Sequence, residues 1–174
     1  MNQWGDIMKI LTISLAAFAL AALTSTAFAA DDVIHNQEAA NSPFASSVVV
    51  PPGYTTYYIS GSGPLVADPN APAGSVQRLG NTGTQTASTL EGLRQKMAAL
   101  GITFADVVQG RVYLAADPYN GGKMDYAAMN AAWMKVFGSP DQPNKPARAT
   151  VQVANLVVPG ALVEIELVAV KKVP

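Results

Sequence analysis

The stretch PARATVQVANLVVPGALVEIELVAV, residues 146–170, decides how the rest of the chain is read. It alternates like two β-strands around a Pro159-Gly160 turn. Yet it carries Arg148, Glu164 and Glu166 at positions that a chain 49% hydrophobic could have filled with Val or Thr. Either these charges face water or pair with one another structurally, or they belong to a site. In a simple hairpin about Pro159-Gly160, Arg148 would lie at the far end and Glu164 near the turn, roughly 20 Å apart at about 3.3 Å per residue. One small ligand could not then touch both from a single chain. Either the strands are not hairpin neighbours, or a second subunit supplies one of the groups.

Upstream, the apolar residues Leu90, Leu93, Met97 and Leu100 recur at helical spacing and predict a helix over 82–100, ended by Gly101. Residues 107–114 are β-branched and aromatic enough for a strand, and Asp117-Pro118 and Gly121-Gly122 then turn the chain. A second amphipathic helix is predicted over 124–137, with Met129, Trp133 and Phe137 on its apolar stripe and Gly138 at its end. Residues 46–50 and 55–60 read as strands around Pro51-Pro52-Gly53, and 62–80 as an irregular loop. The order β-β-α-β-α-β-β implies an α+β two-layer sandwich, a mixed sheet with two helices on one face. The other face, expected to be rich in Val and Ile, needs a cover, which predicts assembly.

The first residues form a separate unit. Lys9 precedes an apolar run from Ile10 to Leu23, and Ala27-Phe28-Ala29 supplies the small residues of a cleavage site. This predicts a signal peptide over 1–29 and a periplasmic or secreted location, since about 14 apolar residues are too few for a spanning helix. Residues 30–42 read as a flexible polar segment containing the only histidine, His35, and 43–174 as a single domain. About 145 residues then remain, enough for one core.

Composition excludes several chemistries. The formal net charge is −1, with no Lys/Arg run to neutralise a phosphate backbone, so no nucleic-acid partner is expected. Cysteine is absent and histidine is confined to the N-terminal segment, so nucleophilic triads and the usual zinc ligands are unavailable. No phosphate-binding glycine loop occurs either, and neither cofactor nor metal is expected. Carboxylates, arginine, hydroxyls and backbone groups must carry any chemistry.

Four motifs then belong together: Pro146-Ala147-Arg148 opening a strand, Val163-Glu164-Ile165-Glu166 on the last strand, Ser60-Gly61 closing the second, and Asp125-Tyr126-Ala127-Ala128-Met129-Asn130 opening a helix. In this order they resemble the RidA (YjgF-like) family across residues 43–172. The resemblance implies a chorismate-mutase-like fold and a homotrimer with clefts between subunits. It further implies hydrolysis of enamines and imines such as 2-aminoacrylate to 2-keto acids and ammonia, with the 2-imino or 2-keto acid as small-molecule partner. It places Arg148 on the substrate carboxylate and Glu164 on the catalytic water. Gly61, Ser60, Asn130, Thr150 and Phe44 line the cleft in this reading, and Glu166 is a surface or interface carboxylate. The chain departs from the family at Ser42-Pro43-Phe44, where Gly-Pro-Tyr is common, at Thr150, where cysteine is common, and in the loop 62–80. A carboxylate-binding protein without turnover is the alternative, and an endoribonuclease a further one.

Overall fold

The computed structural model describes residues 32–37 and 39–173. The signal peptide expected over 1–29 lies outside them. Among the described residues, no helix is long and apolar enough to cross a membrane.

Among the described residues, six strands and three α-helices follow in the order β1 (Ile34–Asn36), β2 (Ser47–Val49), β3 (Tyr54–Ser62), α1 (Val76–Leu79), α2 (Thr82–Ala99), β4 (Val107–Leu114), α3 (Tyr126–Trp133), β5 (Ala147–Gln152) and β6 (Val163–Lys172). The main sheet has the order β3-β6-β4-β5. Strand β6 is antiparallel to both β3 and β4, and β4 is parallel to β5. A parallel pair cannot be joined by a tight turn, and α3 lies in the crossover between β4 and β5. The two strands of the 146–170 stretch are therefore not a hairpin, because β4 lies between them.

Sequence explains the helices locally. Asn81 caps α2 by accepting the Thr84 amide, and Gly101, at φ 70°, follows the helix in the left-handed conformation. Asp125 caps α3 by accepting the Ala128 amide at 2.9 Å. Leu90, Leu93 and Met97 from α2 meet Met129 and Trp133 from α3 over Val112, Leu114, Ile165 and Leu167 of the sheet. This is the expected α+β arrangement, with both long helices on one face.

Four expectations need correction. Helix α3 ends at Trp133, and Phe137 reaches the core from the turns that follow. The stretch 62–80 contains a helical turn, α1, capped by Ser75. The N-terminal segment is not a solvated tail at His35: residues 34–36 pair with β2, and His35 Nδ1 lies 2.8 Å from the Lys145 carbonyl oxygen. Strand β2 thus pairs with β1 and not with β3. Finally, the open face of the sheet is mixed: Val163, Ile165 and Leu167 point to the helices, and Val168 and Val170 of β6 and Val151 of β5 share the open face with charged residues. Alternation leaves Arg111 and Tyr113 of β4 beside Glu166 and Glu164 of β6 on the open face.

Candidate functional site

Strand β5 opens at Ala147, and its register places Arg148 opposite Gly110 and Thr150 opposite Val112. Both residues therefore point to the helix side. The Arg148 guanidinium enters an aromatic surround, its carbon 4.9 Å from the Trp133 ring, 5.2 Å from Phe44 and 5.8 Å from Tyr126. Attraction to the electron-rich ring faces holds it there. Nη2 donates to Asn130 Oδ1 at 2.7 Å and to the Tyr126 hydroxyl at 3.2 Å, and Nη1 lies 3.8 Å from Met129 Sδ.

Two buried polar atoms at this position, Arg148 Nε and Thr150 Oγ1, have no hydrogen-bond partner among the described residues. None of these residues gives Arg148 a carboxylate: the ion pairs there are Arg94–Glu91 and Arg111–Glu166. Burial accordingly lowers the Arg148 pKa from its ordinary value, with the Tyr126 hydroxyl working in the opposite direction. Chemically, this is a desolvated cation that lacks an anion.

The local sequence builds this surround economically. Tyr126, Met129, Asn130 and Trp133 fall at i, i+3, i+4 and i+7 on one face of α3. Trp133 donates its indole N–H to the Pro43 carbonyl at 2.9 Å, fixing the segment that carries Phe44. Ala45 bridges Ala147 in parallel, and Lys145 Nζ donates to the Ala40 carbonyl at 2.8 Å. Beneath Trp133, a Cβ at Gly110 would lie 2.7 Å from the indole Cη2, so the ring depends on that glycine.

Glu164 lies elsewhere. It pairs with Tyr113 on the open face, and its carboxylate presses on Gly61 at the bulge of β3, where a Cβ would collide with it. Among the described residues it makes no ion pair. Ser60 is on the same face, in a shallow groove of about 180 Å³ with Tyr58, Arg111 and Glu166. Glu166 is bonded to Arg111 at 3.2 Å, as befits a surface or interface carboxylate.

The structure thus sorts the expected site residues into two groups. Arg148, Asn130, Thr150 and Phe44 gather on the helix side, and Glu164, Gly61 and Ser60 on the open face. From the register, Arg148 and Glu164 lie two strands and three residues apart, about 14 Å between backbones, with side chains diverging. Sequence reading missed Tyr126 as a member of the first group and took Trp133 as core alone. The i, i+3, i+4, i+7 spacing with Asn130 was the signal available.

Fold and site together place this protein among the small α+β sandwiches, with an arginine at the start of an edge strand, on the helix side of a mixed sheet, that has no carboxylate partner among the described residues. The chain belongs to the endoribonuclease L-PSP family, whose model matches residues 24–171, and with it to the RidA/YjgF group. It is 35% identical over 140 residues to Protein DfrA of Myxococcus xanthus, covering 79% of this chain and 93% of that protein. A RutC family protein of Haemophilus influenzae is 35% identical over 88 residues, 51% of this chain and 62% of the relative, so the match spans less than two thirds of that protein. Among solved structures, a Rid family protein of unknown function from Yersinia pestis, YyfB, superposes with a TM-score of 0.56 at 25% identity. That match covers 79% of this chain and 96% of the other.

Proposed function

We propose that this protein hydrolyses reactive enamines and imines of the 2-aminoacrylate type to 2-keto acids and ammonia. The carrying observation is Arg148, a half-buried guanidinium with neutral partners only. A planar carboxylate takes two parallel, charge-assisted hydrogen bonds from such a fork. In a 2-imino acid the neighbouring carbon is electrophilic. Water attacks it as Glu164 accepts a proton, the carbon–oxygen bond forms, and the same carboxyl returns a proton to the nitrogen. Glu164 then takes the proton of the new hydroxyl and delivers it to the amino nitrogen as the carbon–nitrogen bond breaks and the carbonyl forms, leaving ammonia and the keto acid.

One chain does not hold both halves of this site. A carboxylate lacking a cation on the open face and a cation lacking a carboxylate on the helix side support a homotrimer in which each cleft takes Arg148 from one subunit and Glu164, Gly61 and Ser60 from the next. Tyr58, 82% exposed, and Val151, 48% exposed, give the apolar surface for such contacts. The leader sequence supports export, which N-terminal sequencing of protein recovered outside the cytoplasm would test.

Activity is tested with freshly generated 2-iminopropanoate on the wild type, Arg148→Ala and Glu164→Gln. Keto-acid formation should be accelerated by the wild type, lost with Arg148→Ala, and reduced about 10²-fold or more with Glu164→Gln. No acceleration over buffer by folded protein overturns the proposal. Saturable keto-acid binding without turnover would make the protein a carboxylate-binding module instead.

A further inference from the structure

The two oxygen partners of Arg148 Nη2 are not equivalent. Asn130 Oδ1 can only accept, so it holds the guanidinium and offers nothing further through that atom. The Tyr126 hydroxyl also accepts from Nη2, at 3.2 Å, but it retains a proton of its own. That proton cannot point at the cation and is directed away from it. Tyr126 opens α3 and is 39% exposed, so this side of the hydroxyl borders solvent. Both Nη2 hydrogens are taken by these two oxygens, so an arriving anion meets the phenolic O–H together with the Nη1 hydrogen not turned to Met129 Sδ.

We propose that Tyr126 is a substrate-binding residue whose hydroxyl donates a hydrogen bond to one carboxylate oxygen of a 2-oxo or 2-imino acid held by Arg148. The inference rests on the reading of Arg148 as a carboxylate anchor. Phe44 presents a ring to the cation with no hydroxyl, the Asn130 oxygen in contact with Arg148 cannot donate and the Thr150 hydroxyl is buried, so Tyr126 supplies an exposed neutral donor bonded to the guanidinium. The pair of donors favours a ligand with two acceptor oxygens on one carbon. A primary amide turns N–H groups toward N–H and O–H donors, so Tyr126 adds selectivity for the acid over its amide.

The experiment is calorimetry with pyruvate and with pyruvamide on the wild type, Arg148→Ala and Tyr126→Phe, alongside kinetics and thermal unfolding. Tyr126→Phe keeps the ring beside the cation and removes only the hydroxyl. It should weaken pyruvate binding about 10- to 100-fold, raise KM in step with kcat nearly unchanged, narrow the preference for pyruvate over pyruvamide, and leave Tm where it was. Wild-type affinity for pyruvate in Tyr126→Phe, with Arg148→Ala inactive in binding, overturns this inference while the carboxylate-anchor reading stands. Equal losses of Tm, kcat and affinity overturn it too, since Tyr126 would then only support Arg148. Failure of the wild type to bind pyruvate overturns the anchor reading and this inference with it.

Discussion

In the proposed function Arg148 serves at the expense of the fold that carries it. Its guanidinium is desolvated among Trp133, Phe44 and Met129, and burial lowers its pKa. A cation with a lowered folded-state pKa opposes folding at every pH below that value, so the unfavourable contribution is constant through the neutral range. Replacing it with an unbranched apolar side chain should relieve this, because Tyr126 and Asn130 are open enough to turn their oxygens to water. Arg148→Met is expected to leave stability unchanged or to raise it by about 1 kcal/mol in urea denaturation at pH 7, while keto-acid binding disappears. A loss of several kcal/mol would instead make the guanidinium part of the core. Arg148 and Asn130 were legible in the sequence through their motifs. Tyr126 shares their motif and the helix face of Asn130, but that spacing gains meaning only once Arg148, on another strand, is known to meet the same face.

Among the elements, β4 decides most. Its residues Gly110, Val112 and Leu114 face the helices, and Gly110 alone has no side chain, which admits Trp133 against the sheet. A methyl group there would have to displace the indole, and with it the bond to Pro43 and the platform 4.9 Å from Arg148. Gly110→Ala should therefore destabilise the protein by about 1–3 kcal/mol and also weaken pyruvate binding, measured by denaturation and calorimetry together. Unaltered affinity would show that the indole can shift without carrying Arg148. Helix α2 was legible from Leu90, Leu93 and Met97. Its buried Thr82, Gln85, Thr86 and Thr89 were not, since polar side chains break the apolar periodicity. Thr86 donates back to the Thr82 carbonyl, whereas two of these have distant partners: Thr82 donates to Asp117, and Gln85 binds Gly160 and Leu162. Such contacts leave no local trace in the chain.

At the scale of the whole molecule, the division of the site between two faces makes a quantitative demand on assembly. If each cleft takes Arg148 from one subunit and Glu164 from its neighbour, the two inactive variants should complement each other. Random mixed trimers of Arg148→Ala and Glu164→Gln, formed by co-expression, would restore both groups in about one quarter of the clefts. Imine hydrolysis should return to about that fraction of the wild-type rate per subunit. Light scattering at micromolar concentration should give three times the subunit mass. No recovery in demonstrably mixed trimers would place both groups in one subunit's site, and a monomeric mass would remove the shared cleft altogether.

By itself, the sequence determined the α+β class, the helix over 82–100, the strand over 107–114 and a final strand carrying Val163-Glu164-Ile165-Glu166, and it singled out Arg148 and Glu164 as the pair to test. These rest on local periodicity and on residue types within a few positions of one another. Only the tertiary structure decided that β4 separates β5 from β6 and that Arg148 and Glu164 leave opposite faces of the sheet. Alternation assigns faces within one strand, but the loop over 153–162 resets it, so spacing cannot carry the assignment from one strand to the next. The pairing that does carry it is long-range, and no segment of the chain encodes it alone.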